Sequence, residues 1–195
     1  MSEPRLQNQL EYLAYKIGHI GWGYIFMYLD VNLGTIDILP SWAGYLFILS
    51  ALPVLSEYEK SAALLRNLAI LLTGWAVLEW VMTIFGITSA AGSMGTLINI
   101  AATIIGVVSI YFHFQMLTNL AEIAGQLGLD ERKERLLKLR TVNTILHTVL
   151  AIFSSLAFLQ AFMWLTLGLA LINFVNTLRI TICLFGFKSD LLTTE

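Results

Sequence analysis

The chain has 195 residues, of which 57% are hydrophobic and only 12% charged, with a mean hydropathy of +0.77. These totals exclude an ordinary soluble domain and make lipid the expected solvent. A net charge of −2 and a pI near 5.9 leave no basic field for nucleic acid.

The N-terminal "MSEPRLQNQLEYLAYK" lacks the basic start, apolar stretch and cleavage site of a secretory signal, and is expected to stay on the mature protein. Glu3 and Pro4 suit a helix start, and Leu6, Leu10, Leu13 and Ile17 recur at helical spacing as an interfacial lead-in. The uncharged run from Ile17 to Leu29 reaches only about 20 Å, short of a hydrocarbon core about 30 Å thick. Span one therefore takes in Tyr12 to Lys16 and covers residues 12–29; span two, equally short of apolar residues, covers 38–55.

Between them lies "LDVNLGTIDILPSWAGY". Two short flanks hold this segment at the membrane boundary, where Asp, Asn and Gly suit a turn and Pro40 opens the next helix. Asp30, Asn32 and Asp37 also offer oxygen ligands to a hard cation.

Spans three and four follow at 65–86 and 96–117, joined by the uncharged "ITSAAGSMG". Residues 118–140 form a helical hairpin extension beyond the bilayer. In it a first helix ends at Gly125 or Gly128, Asp130 caps a second, and Glu131/Arg135 and Glu134/Lys138 pair at i,i+4. Residues 142–187 would make about 69 Å of helix, so the chain must reverse. A turn near Gln160 gives spans five and six at 141–159 and 162–180, although no glycine or proline marks it.

Lys and Arg alternate perfectly between the two sides of such a chain. Arg5 and Lys16 lie before or at the start of span one; Lys60 and Arg66 lie between span two and the start of span three; Arg132, Lys133, Arg135, Lys138 and Arg140 follow span four; Arg179 and Lys188 lie at and after the end of span six. The gaps after spans one, three and five have none. The expected fold is an all-α integral membrane protein of six transmembrane helices in three hairpins, a single polytopic domain with both termini cytoplasmic.

Ionisable groups inside a membrane are the first functional candidates. By depth, Asp30, Asp37 and Glu79 form an outer tier and His19, His113 and His147 an inner one. All but Asp37 lie on stripes of small or polar residues at helical spacing: His19, Gly23 and Asp30; Ala76, Glu79, Thr83 and Gly86; Asn99, Thr103, Gly106 and His113; Asn143, His147, Ala151 and Ser154; a further stripe is Asn173, Asn176 and Thr177. Two readings stand side by side. The stripes pack helix against helix, or they line a path for a cation or proton, with Glu79 about seven residues, on the order of 10 Å, inside the outer boundary. Paired histidines could also hold haem or a transition metal, against capping roles at helix ends.

The cations Arg132, Lys133, Arg135, Lys138 and Arg140 set topology and offer a contact for anionic lipid or a partner protein, and Arg179 is expected to snorkel to the cytoplasmic edge. Ala102 and Gly106 give one small-xxx-small contact for helix packing or a homo-oligomer. Cys183 is the sole cysteine, so neither an intramolecular disulfide nor a cysteine-based zinc site can form. Phosphate loops, HExxH and GxSxG are absent, no cofactor is expected, and an enzyme ranks last. A small transporter or channel for a cation or proton comes first, a non-transporting interaction or regulatory protein second.

The stretch "LDVNLGTIDILPSWAGYLFI" resembles the first hairpin of a group of small bacterial multi-pass membrane proteins of unassigned function. They carry an IDILP stretch followed by a glycine and an aromatic, here Ile36 to Pro40, Gly44 and Tyr45. The resemblance covers about 20 residues plus the layout of spans. It implies a bacterial inner-membrane protein and brings no activity with it.

Overall fold

The computed structural model describes residues 3–28, 32–33, 36–37, 40–85, 93–155 and 163–193. Six long helices lie among the described residues: α1 (Glu3–Tyr28), α2 (Ser41–Tyr58), α3 (Leu65–Ile84), α4 (Ser93–Gln126), α5 (Asp130–Ser155) and α6 (Met163–Thr193). A 3-10 turn, Lys60–Leu64, joins α2 to α3. Between α1 and α2 the backbone makes a two-residue antiparallel pairing, β1 (Asn32–Leu33) with β2 (Ile36–Asp37), which sets Asn32 opposite Asp37.

Among the described residues, four segments are long and apolar enough to cross a membrane: Lys60–Ile84, Gly95–Gln126, Asp130–Phe153 and Leu167–Thr193. The first two helices do not reach that mark. α1 runs unbroken from the lead-in through Glu11 and Lys16, and α2, 18 residues and about 27 Å long, carries Pro53 and Glu57. The expected turn near Gln160 and most of "ITSAAGSMG" lie outside the described residues.

Buried side chains gather along one length of the bundle. Leu13, Ile17, Ile20 and Tyr24 on α1 meet Ile48, Leu52 and Leu55 on α2; Phe112, Met116 and Leu120 on α4 meet Leu136 and Leu139 on α5; Ile180, Leu184 and Phe187 close the core from α6. Elsewhere α4 turns Leu97, Ile100, Ile104 and Val107 outward. That face would be a liability in water and is neutral against lipid tails.

Two backbone details set the frame. α1 and α2 approach so closely that a Cβ built on Gly44 would lie 2.5 Å from the Gly23 carbonyl oxygen, so only glycine fits. The α4–α5 turn is made by Gly128 at φ 74, with Leu129 N–H donating to Ala124 O at 2.9 Å and Gly128 N–H to Gly125 O at 3.1 Å. This is a Schellman motif, so α4 runs through Gly125 to Gln126. Asp130 was expected to cap the next helix. It is instead the first residue of α5, and the Leu129 carbonyl accepts the Lys133 N–H.

Candidate functional site

Tyr24 and Tyr28 stand one turn apart on α1 and point from the same face toward α4 and α5. The Tyr24 hydroxyl lies 3.1 Å from His113 Nδ1, and the Tyr28 hydroxyl 3.2 Å from His147 Nε2. The two imidazoles stack on each other with centroids 6.2 Å apart, and the two phenols stack at 6.1 Å. The result is a closed quartet of two tyrosines and two histidines. Each hydrogen bond in it holds one proton, whose position depends on the imidazole tautomer. Tyr24 and His113 are fully buried, His147 partly so.

Beside the quartet lies a half-open cavity of about 260 Å³, lined by Tyr28 from α1, Ser41 and Tyr45 from α2, Trp75, Ala76 and Glu79 from α3, Gly106 and Ser109 from α4, and His147 from α5. The Tyr45 hydroxyl is 3.5 Å from Ser109 Oγ, and Ser109 sits one turn before His113. Trp42 and Trp80 meet edge to face at 6.0 Å across the same α2–α3 seam, each with a buried indole N–H that has no partner among the described residues. Glu79 itself is exposed. A space of this size with polar side chains on its wall has room for water.

The candidates separate by place. Glu79 and His147 line one cavity, and His113 stacks on His147, so these residues do not form the two tiers expected from their depth. His19 is elsewhere: its Nδ1 is 2.9 Å from Ser50 Oγ, and its ring packs on Tyr15 and Phe47 at the α1–α2 seam. Asn32 and Asp37 face each other across the two-residue pairing, and Asp30 lies outside the described residues. Among the described residues, no group of three His, Cys, Asp or Glu side chains could hold a metal.

The small and polar stripes divide similarly. Asn176 Nδ2 donates to Asn143 Oδ1 at 3.1 Å, both buried, so those stripes join α6 to α5. Asn99, Thr103 and Thr83 are exposed, while the Ser154 side chain and Gly86 lie outside the described residues. Tyr24, Tyr28, Tyr45 and Ser109 are site residues that the sequence reading does not single out. Their signal was the i,i+4 spacing of Tyr24 with Tyr28 and of Ser109 with His113.

The basic segment is largely turned inward. Arg132 pairs with Asp190 on α6 at 2.7 Å and donates to the Cys183 carbonyl at 3.3 Å. Lys133 reaches back to Glu122 at 3.2 Å, and Arg140 donates to Thr118 Oγ1 at 3.2 Å and lies over the Phe114 ring at 4.6 Å. These three cations fasten α5 to its neighbours, which leaves Arg135 and Lys138 as the outward pair. They make the expected i,i+4 contacts to Glu131 at 2.9 Å and Glu134 at 3.5 Å. A polar cluster on the same end, in which the Asn119 amide and the Ser61 hydroxyl are hydrogen-bonded at 2.7 Å, ties the 3-10 turn to α4.

Compared with family models, with curated proteins and with solved structures, the chain has no match in any of the three.

Proposed function

We propose that the chain is a six-span protein of the bacterial inner membrane, both termini cytoplasmic, that passes protons or a small cation by way of the Glu79 cavity. One observation carries this reading. A carboxylate, two phenols, two serine hydroxyls and an imidazole line one half-open cavity, and the imidazole continues into a hydrogen-bonded ring quartet. Glu79 is the exchanging acid at the rim, His147 the first group behind it, and His113 with Tyr24 the buried end of the relay. Membrane proteins rarely place ionisable groups together inside the bilayer without such use.

The topology is supported by the alternation of Lys and Arg between the gaps and by the six helices. α1 and α2, the two helices outside the four long apolar segments, would cross held to the bundle by the Gly23–Gly44 contact and by α6. The test is flux into proteoliposomes for protons and for mono- and divalent cations. Glu79→Gln should abolish the signal, and Tyr28→Phe should reduce it. A Glu79→Gln protein that is folded and transports like the wild type would remove Glu79 from the mechanism. Silence of the wild type across the whole panel would favour a non-transporting interaction protein. The geometry supports that reading less, because Asn119, Arg132, Lys133 and Arg140 are already engaged within the chain.

A further inference from the structure

On the outer side of the α5–α6 seam, away from the Glu79 cavity, runs a half-open groove of about 490 Å³. Its upper wall is charged: Glu131, Glu134, Arg135 and Lys138 come from α5, and Arg179 comes from α6. Val142 and Ile182, both exposed, continue it as an apolar strip. We propose that this groove seats an anionic phospholipid, the phosphate against Arg179, Lys138 and Arg135 and an acyl chain along Val142 and Ile182.

The charges favour an anion. The groove's two acids face three cations, and each acid already has its own i,i+4 cation on α5, Glu131 with Arg135 and Glu134 with Lys138. Both pairs are exposed, so they are weak and can open toward a stronger partner. The nearby Asp190 is occupied by Arg132 at 2.7 Å and does not offset the excess. Arg179 stands on the opposite helix, exposed, and forms no ion pair among the described residues. A guanidinium of this kind suits a phosphate better than an ammonium does, because its planar fork can donate two parallel hydrogen bonds.

The shape then selects a lipid over a free phosphate. A charged head that continues into an exposed apolar strip matches an amphiphile, and basic sites between helices on the cytoplasmic side are where anionic headgroups bind. This placement rests on the topology proposed above, which puts the Arg132–Arg140 segment and Arg179 at the cytoplasmic boundary.

The experiment uses the full chain in detergent. Native mass spectrometry would follow titration with phosphatidylglycerol and with phosphatidylcholine, and inorganic phosphate would be added as competitor. The wild type should retain phosphatidylglycerol in preference to phosphatidylcholine. Arg179→Gln should weaken that binding about fivefold, the effect of losing one interfacial charge, with partial recovery in Arg179→Lys. Arg66→Gln removes an exposed cation on α3 and should change nothing. Arg179→Gln binding like the wild type would overturn the site, and so would an equal loss in Arg66→Gln. Inorganic phosphate displacing the lipid at equal concentration would overturn the lipid assignment in favour of free phosphate. Glu79→Gln should bind lipid normally, so a silent flux assay and a failed lipid site are separate results. Arg179 is exposed, so its removal leaves the core intact, and a thermal melt of each variant checks this.

Discussion

The closest contact in the bundle gives the sharpest prediction. Gly44→Ala would place a Cβ 2.5 Å from the Gly23 carbonyl oxygen, 2.6 Å from Met27 Cγ and 3.1 Å from the Met27 nitrogen. Two of these atoms are backbone, so a side-chain rotation cannot clear the space. α1 and α2 must instead part by roughly 1 Å to restore ordinary contact, and a gap of that size forfeits about a quarter to a half of each contact's attraction. Overpacking of this kind costs about 1–3 kcal/mol. The substitution also gains about 1 kcal/mol from better helix propensity, which must be subtracted. Gly74→Ala measures that gain alone, because a Cβ there meets nothing within 4 Å. The expected result is that Gly74→Ala raises stability toward SDS or heat in micelles, while Gly44→Ala falls below it by about 1–3 kcal/mol. Equal shifts for the two variants would refute the close approach of α1 and α2.

Other outcomes follow from single contacts. Arg132→Gln should lose about 1.5–3 kcal/mol of stability through its bonds to Asp190 and the Cys183 carbonyl, and Asp190→Asn combined with it should add little; unfolding of the double variant checks this. Tyr24→Phe should lower stability by about 1–3 kcal/mol by leaving the buried His113 Nδ1 without a partner, and a neutral result would mean the nitrogen finds another. Asn143→Leu and Asn176→Leu should show a double-mutant coupling of about 0.6 kcal/mol, the usual size for a hydrogen bond between helices in a membrane. Zero coupling would assign the pair to packing alone.

Hydrophobic runs and turn residues carried most of the helical layout, because the helix period and the lack of charge act over whole turns. Gly125, Gly128 and Asp130 marked the α4–α5 turn within a residue or two, since a left-handed position after a helix selects glycine. The fate of the basic segment was not legible. Arg132 and Lys138 look alike along the chain, yet one is half-buried against α6 and the other exposed, because that depends on which face of α5 meets α6. The site was half legible for the same reason. Counting along a helix does not say which neighbour a side chain meets, so His19 could not be separated from His113 and His147 until the helices were placed. Tyrosines are common at membrane interfaces as anchors, so Tyr24, Tyr28 and Tyr45 carry no distinguishing signal by type alone.

The hairpin between the first two helices draws these threads together. Gly44 and Tyr45 are adjacent, so on α2 they point about 100° apart. Gly44 meets Gly23 and brings α2 against α1; Tyr45 then swings toward α4, where it reaches Ser109 and the cavity. Met27 and Tyr28, at the end of α1 that leads into the hairpin, line the same cavity. The position of the phenols therefore depends on how closely two helices pack, and on a glycine that carries no chemistry of its own. If the Glu79 cavity conducts, Gly44→Ala should impair flux out of proportion to its effect on stability, because widening the α1–α2 seam moves Tyr45 away from Ser109 while Glu79 stays on α3. Flux that falls only as far as the folded fraction falls would separate the hairpin from the cavity and leave Gly44 a packing residue.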